Sequence, residues 1–173
     1  MTRDELRALQ APLKDRYKDD AGAALVTLRA TGEATGQVSC KVATGRAIVE
    51  AGLHPATGGD GSLICSGDML LEALVACAGV TLRAVATSLE IELRSAQVTA
   101  EGDLDFRGTL GVDKQVPVGF RDIRLSISLE TDASPEQQAT LLRLTERYCV
   151  VLQTLRQPAT ITASLVATGG TPR

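Results

Sequence analysis

The chain has 173 residues, of which 44% are hydrophobic, and this is enough for one compact domain to bury a sizeable core. A net charge of −3 and a pI near 5.2 argue against the basic patch of a nucleic-acid-binding protein. The charged N-terminus has neither the apolar region of a signal peptide nor about 18 uncharged apolar residues in a row. We therefore expect a cytoplasmic protein without a nucleic-acid or membrane partner.

The first part of the chain predicts a helix followed by a small antiparallel meander. A charged helical pattern covers about residues 3 to 18. Alternating apolar stretches, separated by the turn signals TGEATG and TGR, then predict three strands. These stretches are 23–31, 37–43 and 46–53.

A Gly-, Pro- and Ser-rich loop at 54–62 leads into a long apolar helix. Ser66 is a candidate N-cap, and Asp68 lies in the first turn. Glu72 and Arg83 are the only charges in the next twenty residues, so the helix is apolar almost all round. We expect it to be buried on most sides.

The second part of the chain predicts a hairpin, a helix and a final strand. The hairpin strands are 91–106 and 119–130, with a Gly- and Pro-containing loop between them. The motif SPEQ at 134–137 supplies an N-cap, a proline at the first helical position and a glutamine at the third, and predicts a helix through about Gln153. After Pro158, ATITASLVA predicts a strand. The element order favours an α+β fold with antiparallel sheets.

Common catalytic patterns find little support in the sequence. No G-x-G-x-x-G or G-x-x-x-x-G-K-[ST] motif is present, so nucleotide binding is not expected. The one histidine, His54, lies in the predicted loop, and we interpret it as a solvated residue rather than a catalytic or zinc-binding one. We predict no cofactor and no metal.

Cys77 has two interpretations. A free cysteine in an apolar helix is usually a small buried hydrophobe, and burial alone would raise its pKa. A reactive Cys77 needs a positive group from elsewhere in the fold or from a second subunit. Arg46, Arg29 and Lys41 on the predicted meander are the candidates. Cys40, on a strand, and Cys65, in the loop before the helix, are interpreted as structural.

Two segments resemble the OsmC/Ohr family of thiol-dependent peroxide-handling proteins. GGDGSLICSGDMLLEALVAC is similar to a family signature in which a Gly-rich loop precedes a helix bearing an acidic residue, here Asp68, and the peroxidatic cysteine, here Cys77. ERYCVVLQTL around Cys149 is similar to the family's second-cysteine helix. The resemblance implies one OsmC-like domain over 21–170, with 1–20 as an N-terminal helical extension.

The resemblance also implies an OsmC-like fold, with antiparallel sheets around a long buried central helix, that assembles as an intertwined homodimer with its sites at the interface. It implies that Cys77 attacks an organic hydroperoxide, that Cys149 condenses with the resulting sulfenic acid to give a disulfide, and that a dithiol such as a lipoyl group reopens it. Such a reaction belongs to oxidative-stress defence.

The chain departs from the family pattern at several positions. Where Ohr-type members carry an arginine in a turn reading ATGGR, this chain reads ATGEATG, with Glu33 and Ala34 at the Gly-Arg positions. Arg46 in the next turn is our substitute cation. Asp68 is one carbon shorter than the usual glutamate, and Val150 stands where many relatives have proline.

These departures leave two alternatives open. One is a protein of the same fold with weak or no peroxidase activity, which binds a small apolar or thiol ligand at the dimer interface. The other is a structural module with inert cysteines.

Overall fold

The computed structural model describes residues 2–19, 31–35, 39–43 and 48–166. The helices are α1 (Arg3–Asp19), α2 (Ser66–Ser88), α3 (Phe106–Thr109), α4 (Pro135–Tyr148) and α5 (Val150–Arg156). The strands are β1 (Thr31–Thr35), β2 (Ser39–Ala43), β3 (Ile48–Gly52), β4 (Ile64–Cys65), β5 (Ser95–Asp103) and β6 (Asp122–Glu130). This mixture of helices and mainly antiparallel strands confirms the predicted fold class, and α1 confirms the predicted N-terminal helix.

The predicted meander is present, but one of its turns is wrong. β1, β2 and β3 pair antiparallel in sequence order, and β4 adds a two-residue parallel pairing to β3. The segment TGEAT was predicted as a turn, yet it forms β1, with Glu33 opposite Lys41 and Ala34 opposite Cys40. The hydrogen bonds of the ladder outweigh the turn preference of Gly32, because they satisfy the backbone of the whole segment. Most of the predicted strand 23–31 lies outside the described residues.

The hairpin of β5 and β6 confirms the second pair of predicted strands. Its register runs without a bulge from Ser95 opposite Glu130 to Asp103 opposite Asp122. Burial alternates residue by residue along both strands, as expected when one face of a sheet is packed and the other is solvated. The packed face, which includes Val98 and Leu125, covers α2.

Helix α2 is central, but only one of its faces is buried within the chain. Its N-cap is Cys65 rather than the predicted Ser66, which is already helical. The buried residues recur every fourth position: Leu74, Ala78, Leu82 and Ala86. On the opposite side Val80 is 73% exposed, so the burial expected on most sides is not reached by one chain alone. The helix is long and apolar enough to span a bilayer, but its packed stripe forms the core of the domain.

The predicted helix after the second hairpin exists but is broken at Cys149. The SPEQ motif forms a full capping box: the Ser134 hydroxyl accepts from the Gln137 N–H, and the Gln137 side chain accepts from the Ser134 N–H. Cys149 has φ −73° and ψ 105°, an extended conformation that ends α4 and starts α5. The helix predicted as continuous to Gln153 is therefore two helices.

The predicted final strand is wrong. Residues 159–166 form no strand, and Leu165 is 96% exposed. A β-strand is stable only when its backbone groups pair with a neighbour. The described part of this chain offers the segment no such neighbour.

Candidate active site

Cys77 and Cys149, far apart in the sequence, meet inside the domain. Cys77 lies halfway along α2, and Cys149 lies at the break between α4 and α5. Cys149 is fully buried in a cluster with Leu74, Ala78 and Leu152, and Cys77 packs against this cluster. Both cysteines are free thiols, and the Cys149 thiol donates a hydrogen bond to the Cys77 sulfur.

The break at Cys149 creates the donors that surround the two sulfurs. The first N–H groups of any α-helix lack a partner within the helix, and no side chain caps α5. The Val150 and Val151 N–H groups donate to the Cys77 sulfur instead. The Leu152 and Val151 N–H groups lie near the Cys149 sulfur and act to lower the pKa of that thiol, although the Cys149 side chain does not cap α5. The first N–H groups of α5 thus lie beside the two sulfurs.

These contacts shift the pKa values of the two thiols in opposite directions. Burial acts to raise the pKa of Cys77, but the Val151 N–H, the Cys149 thiol, the Val150 N–H and the nearby Thr81 hydroxyl together outweigh it and hold that pKa below its ordinary value. Within the described part of the chain, the groups that lower it are hydrogen-bond donors and not a cation. Burial raises the pKa of Cys149, and the neighbouring Cys77 sulfur raises it further. Cys77 is therefore the better candidate for a thiolate, and Cys149 for a protonated thiol.

Asp68, the other predicted site residue that the structure describes, is not brought to Cys77. Asp68 is exposed in the first turn of α2, nine residues before Cys77, which is about 13 Å along the helix and on the opposite face. Arg46 and Arg29 lie outside the described residues, and Lys41 lies on β2. The position of the predicted cation is thus outside what the structure describes.

Three residues near the sulfurs were not singled out as donors from the sequence. Val150 and Val151 act through their backbones, so side-chain chemistry gives no signal for them. The Thr81 hydroxyl, one turn after Cys77, donates to the Cys77 carbonyl oxygen at 2.8 Å and also contacts the sulfur. Thr81 lies four residues after Cys77, and this spacing was the one sequence signal for their contact, because residues four apart share a helix face.

A cleft of about 350 Å³ adjoins the cysteine cluster. We call it the α5 cleft. Its apolar wall includes Leu74 and Leu152, which also contact the buried cysteine, and Arg121, Asp122 and Arg156 are among its polar residues. The lining of the α5 cleft is therefore a mixture of apolar and charged side chains.

A second cleft of about 310 Å³ lies at the start of α2 and contains Asp68 and Cys65. His54 borders it and stacks on Phe106 at a ring-centroid distance of 4.8 Å. In the described ranges, no group of three or more His, Cys, Asp or Glu side chains fits a metal ion. The cysteine pair is therefore the clearest reactive arrangement in the described structure.

Comparison with known proteins identifies similar chains. A family model described as "OsmC-like protein" matches residues 59–164. The chain matches no curated protein at a significant level.

Several solved structures share the fold at low sequence identity. An OsmC-like protein from Mycoplasma pneumoniae is 17% identical with a TM-score of 0.64, covering 77% of this chain and 89% of that one. An organic hydroperoxide resistance protein from Elizabethkingia anophelis is 19% identical with a TM-score of 0.61, covering 78% and 91%. The organic hydroperoxide resistance protein OhrB of Bacillus subtilis is 19% identical with a TM-score of 0.52, covering 77% and 93%.

Proposed function

We propose that this chain, which belongs to the family of OsmC-like proteins, is a thiol-dependent peroxidase that reduces organic hydroperoxides. Relatives of the same fold carry the name organic hydroperoxide resistance protein, which supports the substrate class. The main support for the proposal is the contact between Cys77 and Cys149 beside the first N–H groups of α5. It joins a thiol of lowered pKa to a protonated thiol within hydrogen-bond reach.

The proposed reaction has three steps. The Cys77 thiolate attacks one oxygen of the hydroperoxide, the O–O bond breaks, and the products are a Cys77 sulfenic acid and an alkoxide that takes up a proton to leave as an alcohol. The Cys149 thiol then attacks the Cys77 sulfur, which forms the disulfide and releases water. A dithiol reductant, such as a lipoyl group, reopens the disulfide by exchange and is itself oxidised to a disulfide.

The unequal pKa values suit these roles. A thiolate is the nucleophile, and the N–H groups of Val150 and Val151 stabilise it at Cys77. Arg46 stays our proposed additional cation, and Asp68 our proposed acidic residue of the site.

We also propose that the working unit is a homodimer in the cytoplasm. The exposed side of α2 carries the apolar residues Leu70, Ala76 and Val80, and a second copy would cover them. The apolar segment 159–166 would find in that copy the neighbouring strand that the described part of its own chain does not offer. Light scattering coupled to gel filtration should give twice the chain mass; a monomer at micromolar concentration would contradict this part of the proposal.

The function is tested with cumene hydroperoxide and a Cys149→Ser variant. Without a resolving thiol, the sulfenic acid on Cys77 should persist and react with dimedone, with one cumyl alcohol released per labelled Cys77. Cys65→Ser is the matched control, since Cys65 lies outside the cysteine cluster, and it should keep full turnover with dihydrolipoamide. If Cys77 stays unlabelled and no alcohol forms, the chain is not a peroxidase.

One observation favours the ligand-binding alternative. The α5 cleft is open and adjoins the cysteine cluster, so an apolar or thiol-containing ligand could bind there without chemistry. Thiols that remain reduced after hydroperoxide treatment, together with saturable binding of an apolar thiol, would favour this function over the peroxidase.

A further inference from the structure

The Gln153 side chain bridges the break between α4 and α5. Its Nε2 donates to the backbone carbonyl oxygen of Glu146 at 2.7 Å, across seven residues. In a continuous helix that carbonyl would accept from the N–H four residues later, which belongs to Val150. At this break the Val150 N–H donates to the Cys77 sulfur, and the Gln153 amide takes its place on the carbonyl.

The remaining backbone contacts confine the break to one residue. The Cys149 N–H still donates to Thr145 at 3.0 Å, as in α4, and the Cys149 carbonyl already accepts from the Gln153 N–H at 2.9 Å, as in α5. Arg156 forms a second link, with its guanidinium 2.9 Å from the Glu146 carboxylate. Because this ion pair is partly exposed, it is worth little, and the part-buried amide contact is the more important of the two links.

We propose that Gln153 is a positioning residue for the Cys77 thiol chemistry, because it holds the helix broken and so releases the Val150 N–H to the sulfur. Two acceptors compete for that N–H: the Glu146 carbonyl in a continuous helix and the Cys77 sulfur in the broken one. Removing the donor from a part-buried carbonyl costs free energy, so without the Gln153 amide the continuous helix is stabilised relative to the broken one. This role rests on the proposed function, and Gln153 acts through the helix backbone at Glu146.

Two variants of Gln153 separate this role from a purely structural one. Gln153→Ala removes the amide, and Gln153→Glu keeps its size but, when ionised, only accepts hydrogen bonds. The control is Gln157→Ala, which changes an exposed glutamine just after α5. The readout is the rate of Cys77 alkylation by iodoacetamide against pH, with the modified peptide quantified by mass spectrometry.

Both Gln153 variants should slow Cys77 alkylation near neutral pH by about three- to ten-fold, the effect of weakening one hydrogen bond to a charged group. The rate at high pH should be unchanged, because the intact thiolate reacts in every variant. Gln157→Ala should follow the wild-type profile. A residue that only stabilised the fold would lower the melting temperature and leave the pH profile in place, and that result would overturn the proposal.

A double variant tests the mechanism itself. Proline has no N–H and its ring clashes with the carbonyl four residues earlier in a continuous helix, so Val150→Pro both removes the donor and keeps the helix broken. In that background Gln153→Ala should no longer change the Cys77 profile, whereas a full additional effect would refute the inference. These measurements use no peroxide, so a failed peroxidase assay on the wild type and an unchanged alkylation profile in the Gln153 variants are separate outcomes.

Discussion

Replacing Val150 by proline tests whether a backbone donor activates Cys77. The chain accommodates proline here, because position 150 is the first residue of α5 and Cys149 before it is extended, with ψ 105°, as residues before proline prefer. The Val150 side chain is 69% exposed, so its loss changes stability by only about 0.5 kcal/mol. What the variant removes is one N–H donor to the Cys77 sulfur.

The expected magnitude follows from the value of that hydrogen bond. A hydrogen bond to a charged group contributes about 1.5–3 kcal/mol, and we take the lower end because Cys77 is partly exposed. About 1.4 kcal/mol corresponds to a ten-fold change in the thiolate fraction below the pKa. Alkylation of Cys77 at pH 7 should therefore slow by about ten-fold in Val150→Pro and stay near the wild-type rate in Val150→Ala, which keeps the N–H. Equal rates and equal pH profiles for the two variants would refute the role of the donor.

Three further predictions concern the two thiols and the capping box of α4. Because the pKa of Cys77 is lowered and that of Cys149 is raised, alkylation with rising pH should modify Cys77 first; the reverse order, seen by peptide mapping, would contradict the assignment. Cys149→Ala should raise the pKa of Cys77 more than Cys149→Ser does, because only serine retains a donor, and the alkylation profile would show no difference if the Cys149 thiol were not donating. Ser134→Ala breaks the capping box and should cost about 1 kcal/mol of stability in urea unfolding, with the Cys77 profile unchanged.

Local patterns predicted the elements whose stability is local. The capping box at Ser134 and the alternation along β5 and β6 are properties of short segments, and the structure confirms both. The helix break at Cys149 carries no such signal, because its flanking residues include neither glycine nor proline. It lies where the chain contacts Cys77 and where Gln153 bridges to Glu146. The local sequence pattern does not predict tertiary contacts of this kind.

The wrong turn prediction and the wrong final-strand prediction have the same physical cause. TGEAT carries turn residues but pairs fully with β2, and ATITASLVA carries a strand pattern but finds no neighbour in the described chain. In both cases the pairing partner decides the outcome and not the segment. Cys77 and Cys149 were paired through the family resemblance, since their spacing alone indicated nothing, and the structure places the two thiols in contact.

The most direct test of the central proposal is peptide mapping of the wild-type chain after one equivalent of cumene hydroperoxide, with free thiols alkylated before digestion. We predict one disulfide between Cys77 and Cys149, one cumyl alcohol per disulfide, and an alkylated Cys65. Full alkylation of Cys77 and Cys149, with the hydroperoxide unconsumed, would contradict it.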